Sequence, residues 1–230
     1  MAFTAADVKN LREMTGVGMM DCKKALAASD GDMDKAVEYL REKGLAASAK
    51  KAGRIAAEGM AYAAVIDGVG VVVEVNAETD FVGKNEKFVD FVKGVAATVA
   101  SENPVDLDKL MECKYNGTGL TVLQQQQEMV LVIGENIRVR RFARFSGGVS
   151  VPYIHAGGKI GVLVNLDVEG EVSDKVREIG KDMAMQIAAL NPRFWDKSFV
   201  TDDVLAEEKK IMLAQMDNDP KMASKPAQVK

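Results

Sequence analysis

One pattern occurs twice along this chain, and it restricts the fold more than any other feature. Met60 to Ile66, the pair Asp67-Gly68 and Val69 to Asn76 give two apolar runs around a two-residue turn signal, which predicts a β-hairpin. Helical spacing follows at Phe88, Val92, Val95 and Val99 and stops at Asn103-Pro104. The same order returns with Val149 to His155, a Gly157-Gly158 turn, Ile160 to Asp167, and helical spacing at Val176, Ile179, Met183 and Ile187 up to Asn191-Pro192. A repeated hairpin-and-helix unit predicts an α+β protein with two related subdomains. Between the copies a helix is expected from Val122 to Ile133 and a strand from Ile137 to Phe145, which could pair with either sheet.

The first fifty residues have a different period. Thr4 and Asp7 are spaced as a capping box, and Val8, Leu11 and Thr15 share one helical face. Gly16-Val17-Gly18 ends that helix; a second begins near Met19 with Cys22, Ala25 and Leu26 on one side. Asp30-Gly31-Asp32 makes a turn before a third carrying Met33, Ala36, Val37 and Leu40. Three short helices with glycine-bearing turns predict a bundle of the ubiquitin-associated type, an interaction module. Met19 and Met20 point in different directions on their helix, so at least one leaves the core, where a flexible Met suits an adaptable protein contact. Ala46 to Gly59 holds few large apolar residues and reads as a connecting helix.

Near the end, Val204 and Ile211, and likewise Leu205 and Met212, lie seven residues apart, as in one arm of a helical hairpin. No return arm follows Asn218-Asp219-Pro220; the expectation is a chain that stops inside such a hairpin, or one that dimerises through its single arm. The predicted order is a helical module at 1–45, a linker helix at 46–58, a first core subdomain at 59–146, a second, incomplete one at 147–200, and the coiled-coil arm with its tail at 201–230.

Chemistry within the chain is hard to find. A net charge of −4 gives no electrostatic reason to expect nucleic acid as the main ligand. Arg138-Val-Arg140-Arg141-Phe142-Ala-Arg144-Phe145 interleaves basic and aromatic residues as an RNA-binding strand would, yet it equally fits a solvated strand face with a bulge near Arg141. The single histidine, His155, rules out multi-histidine metal sites, and a Cys22–His155 dyad would have to join a bundle helix to a distant hairpin. Gly157-Gly158-Lys159 and Gly16-Val17-Gly18 both break the phosphate-binding fingerprints. No enzymatic site and no cofactor are expected. The two cysteines form no metal-type pair, and no apolar run reaches the roughly 18 residues of a spanning helix, so a cytoplasmic protein with no membrane contact is expected.

Glu74-Val-Asn-Ala-Glu-Thr-Asp80-Phe81-Val82 then stands out, because a bulky Phe occupies a junction that turns usually fill with small polar residues. Phe81 shares helical spacing with Phe88, Val92 and Val95, so it is either the first core residue of that stripe or a probe aimed at another molecule. The second copy has no Phe at its counterpart around Gly170-Glu171-Val172.

Three segments carry a resemblance to a known family: Leu11 to Leu26 (LREMTGVGMMDCKKAL), Thr79-Asp80-Phe81-Val82, and Gly134 to Arg141 (GENIRVRR). Together they resemble bacterial translation elongation factor Ts, in family order and over nearly the whole chain. The resemblance implies a guanine nucleotide exchange factor that acts on elongation factor Tu without covalent chemistry. It implies that Thr79, Asp80, Phe81 and Val82 press near the magnesium site of that GTPase. The N-terminal module would grip its nucleotide-binding domain through Leu11, Arg12, Met19, Met20, Lys23 and Lys24. His155 resembles the family's histidine that reaches toward the partner from the second subdomain. A plain interaction scaffold and an RNA-binding protein are the other classes open to the sequence.

Overall fold

The computed structural model describes residues 3–222, 225, 226 and 228. The chain divides into two compact units, residues 1–189 and 190–230.

The larger unit begins with three helices, α1 (Ala5–Thr15), α2 (Met19–Ala28) and α3 (Met33–Lys51). The Thr4 hydroxyl accepts from the Asp7 amide at 3.3 Å while the Asp7 carboxylate accepts from the Thr4 amide at 2.7 Å, the reciprocal cap expected from the spacing. Gly16 ends α1 in the left-handed conformation, φ 69°. Val8, Leu11, Val17, Cys22, Ala25, Leu26, Ala36 and Leu40 close the bundle core. The third helix does not stop at residue 45 but runs to Lys51, so the first six residues of the expected linker continue it. The first breaker after Gly44 is Gly53, and Ala46, Ala47 and Ala49 favour helix.

Strands β1 (Glu58–Ile66) and β2 (Val69–Ala77) pair antiparallel around Asp67 and Gly68, both with positive φ. After a 3₁₀ turn at Val82–Lys84 come α4 (Glu86–Glu102), the short α5 (Leu107–Glu112), α6 (Val122–Ile133) and β3 (Arg138–Phe145). β3 joins the first sheet, in the order β1-β2-β3. Its register moves from Glu74↔Arg141 to Val75↔Val139, which leaves Arg140 as the bulged residue. Val71, Val73 and Val75 of β2 meet Phe88, Phe91, Val92, Val95 and Val99 of α4 in the main core. Leu131 and Val132 of α6 pack instead on the N-terminal bundle, and Arg41 of α3 pairs with Glu128 of α6 at 3.4 Å, so the bundle is seated on the core.

The second hairpin is β4 (Val149–His155) with β5 (Ile160–Leu166). It packs on β1 and β2, and Gly70 permits this approach, because a Cβ there would collide with the Ser150 side chain. Helix α7 (Asp174–Leu190) follows, with Gly180 and Ala184 as its buried positions.

The smaller unit holds an exposed aromatic pair, Trp195 and Phe199, with ring centroids 5.3 Å apart. Thr201 caps α8 (Asp202–Asn218), a helix over the stretch read from the sequence as an arm; Leu205, Ile211 and Met212 on it are exposed. Among the described residues no helix is long and apolar enough to cross a membrane.

Candidate partner-binding site

The corner at residues 78–84 forms because the β1–β2 ladder ends at Glu58↔Ala77 while α4 cannot start before Asn85 caps it, the Asn85 side chain accepting from the Lys87 amide at 3.0 Å. In the gap the chain drops one side chain into the core and leaves its neighbour outside. Val82 is buried, whereas Phe81 is 78% exposed. Phe81 therefore does not extend the stripe of Phe88, Val92 and Val95; it precedes α4 by five residues and stands on the 3₁₀ turn, where its carbonyl accepts from the Lys84 amide at 3.2 Å. Gly83 seats the turn against β1, since a Cβ there would lie 2.9 Å from the Gly59 carbonyl oxygen. Asp80 is exposed beside Phe81.

Upstream, the corner is held by a loop that follows α6. The Glu135 carboxylate accepts from the amides of Glu78 and Thr79 at 3.0 and 2.9 Å, and from the Thr79 hydroxyl at 2.6 Å. Nothing in the spacing of Gly134-Glu135-Asn136 signals this contact, which sequence reasoning missed.

The α1–α2 loop and the turn after His155 reach the same end of the first sheet. Lys87 donates to the Gly16 carbonyl at 3.0 Å, tying the α1–α2 loop beside the corner. An open cleft of about 300 Å³ lies there, lined in part by Gly16, Phe81, Lys87 and Val132. Both Met19 and Met20 are exposed, at 43% and 63%, and so are Arg12, Lys23 and Lys24. Leu11 is fully buried in the bundle core and cannot itself touch a partner; its apolar side chain faces Cys22 and Leu26 rather than solvent. His155 ends β4 exposed, its Nδ1 2.9 Å from the Tyr153 hydroxyl. The turn after it reaches the start of β1, where Lys159 pairs with Glu58 at 3.3 Å, and Glu58 is the ladder partner of Ala77 just before the corner.

The Cys22–His155 dyad loses its footing. The thiol of Cys22 is buried, contacts Thr15 and the Val17 carbonyl, and is pushed up in pKa by that burial, so it forms no dyad with His155. Along the basic strand, Arg140 and Arg141 both bind Glu74, at 2.9 and 2.5 Å, with their side chains 61% and 74% exposed, and Arg144 donates to the Ala100 carbonyl. Burial would raise the Glu74 pKa, but hydrogen bonds from Arg141, Asn76 and Arg140 outweigh it and hold the carboxyl below its ordinary 4.5. With a lowered folded value, the stability from Glu74 is complete above 4.5 and is lost as pH falls through that lower value. Urea unfolding at pH 7 and at pH 3 is expected to separate Glu74→Gln from the wild type clearly at pH 7 and much less at pH 3.

The sequence profile described as elongation factor TS matches residues 78–230. Among curated relatives, the elongation factor Ts of Trichlorobacter lovleyi is 51% identical over 94% of this chain and 72% of its own length. That of Clostridium novyi is 49% identical over 95% and 72%, and that of Halothermothrix orenii 46% over 96% and 75%. At such identity across both the helical module and the two-hairpin core, the chain belongs to the elongation factor Ts family of translation elongation factors.

Proposed function

We propose that this chain promotes guanine nucleotide exchange on elongation factor Tu by inserting the Asp80-Phe81 corner near the magnesium site of that GTPase. The observation that carries the reading is a large apolar side chain held out into solvent on a braced turn, with no core to serve. A phenyl ring so presented can wedge between partner side chains. Moving the groups that orient magnesium weakens the hold of the metal on the nucleotide phosphates. No covalent step is required of this chain.

The parts divide the work. Asp80 and Phe81 make the intruding contact, while Thr79 and the buried Val82 hold the corner on either side. Arg12, Met19, Met20, Lys23 and Lys24 supply the grip on the nucleotide-binding domain, with Leu11 supporting them from inside the bundle. His155 offers a further contact from the second hairpin. The Lys87–Gly16 bond keeps the module beside the corner, so both can engage one partner together.

The direct test is release of a fluorescent GDP from elongation factor Tu chased with unlabelled nucleotide. The intact chain is expected to speed release in proportion to its concentration until saturation. Binding without any change in release rate would leave an interaction scaffold instead.

A further inference from the structure

We infer that Glu135 is a positioning residue for Phe81, an assignment that rests on the exchange reading above. Past the last ladder pair, Glu58↔Ala77, the amides of Glu78 and Thr79 have no strand partner and need an acceptor. One oxygen of Glu135 takes both, and the other takes the Thr79 hydroxyl. The exchange is reciprocal: the Glu78 carboxylate accepts from the Asn136 amide at 2.6 Å and from Arg54 at 3.4 Å, and the Asn136 side chain donates to the Arg54 carbonyl at 2.8 Å. Lys51, the last residue of α3, donates to the Gly134 carbonyl next to Glu135. Bonds to a carboxylate are about twice as strong as neutral ones, so this clamp outweighs a bare turn.

Its place in the chain gives the clamp its function. Thr79 is fixed by Glu135 and Val82 by burial, which leaves only Asp80 and Phe81 between two anchors. Two residues so spanned have little freedom, and the direction of the Phe81 side chain is set before any partner arrives. Without Glu135 the downstream anchor and the sheet remain, but the ordering of the loop has to be met at binding, which weakens the contact.

The experiment uses the full chain with Glu135→Ala, Glu135→Gln, Phe81→Ala and the Glu135→Ala/Phe81→Ala double variant, assayed for GDP release from elongation factor Tu. Glu135→Ala is expected to lower stimulated release about tenfold in the wild type and less than about twofold once Phe81 is gone. Glu135→Gln keeps an acceptor for both amides and is expected to lose only about threefold. Amide hydrogen exchange read by NMR is expected to quicken at Glu78 and Thr79 in Glu135→Ala, with Val73 and Val75 unchanged. Fully additive losses in the double variant, or unaltered exchange at Glu78 and Thr79, would overturn the assignment. If Phe81→Ala releases GDP as fast as the wild type, the exchange reading falls. Glu135 is then judged by the two amides alone: faster exchange confined to them sustains its positioning of the corner, and no change overturns it.

Discussion

Phe81→Ala is expected to slow stimulated GDP release about tenfold, a loss of about 1.4 kcal/mol, just under the roughly 1.5–3 kcal/mol gained when a Phe side chain leaves water completely for an apolar pocket. The same substitution is expected to move unfolding free energy by no more than about 0.5 kcal/mol, because an exposed side chain contributes little to its own fold. The combination matters. A loss of exchange accompanied by a large drop in thermal midpoint would mean that Phe81 holds the corner together rather than reaching out from it. Stopped-flow release and differential scanning calorimetry on the same preparation distinguish the two.

Phe88→Ala is expected to give the opposite result, a loss of about 3–5 kcal/mol in unfolding free energy. Phe88 is fully buried between β2 and α4, and removing its ring leaves a cavity that the surrounding valines cannot fill. A domain of this size is stable by only about 5–15 kcal/mol, so the variant is expected to populate unfolded protein at modest urea concentrations. Urea titration measures this directly; its slope should stay near that of the wild type while the midpoint falls.

These two phenylalanines show where the sequence was legible and where it was not. They are seven residues apart, and spacing alone assigns both to one stripe. The distinction comes from Asn85, whose side chain starts α4 after Phe81, and from the 3₁₀ turn that sends Val82 inward instead. Locally encoded features read well. Asp67-Gly68 specifies its own turn through two positive φ angles, and Thr4 with Asp7 caps α1 from within one turn. The bulge near Arg141 was also visible, as a break in alternation. Features that depend on distant partners were not. Only the packed core decides that β3 pairs with β2, and the six residues of α5 are too few to display a helical period. The stretch up to Lys51 carries no apolar stripe, so its Ala-rich propensity marked it as a connecting helix but not as the continuation of α3. Glu135 bonds to residues 56 and 57 positions away, and no local pattern encodes such a contact.

The corner belongs to the first copy alone, and the repeat gives this meaning. The first hairpin, joined by β3, leads into α4 through the Thr79–Val82 turn, and the second leads into α7 without such a turn. The first sheet with α4 supplies a rigid base, and the second hairpin packs on that sheet and brings His155 toward the same end. Recognition on this reading is spread over the bundle, the corner and the second hairpin, with Phe81 as the part that disturbs the nucleotide.

A corner that displaces the groups holding the nucleotide makes this chain prefer the nucleotide-free partner, and linkage requires nucleotide to weaken its binding by the same factor. Isothermal titration of the intact chain into nucleotide-free and into GDP-loaded elongation factor Tu, with magnesium present, measures that preference. The account predicts much tighter binding to the nucleotide-free protein, by more than about a hundredfold, or about 2.7 kcal/mol. Equal affinity for the two forms would contradict it, whatever the strength of binding.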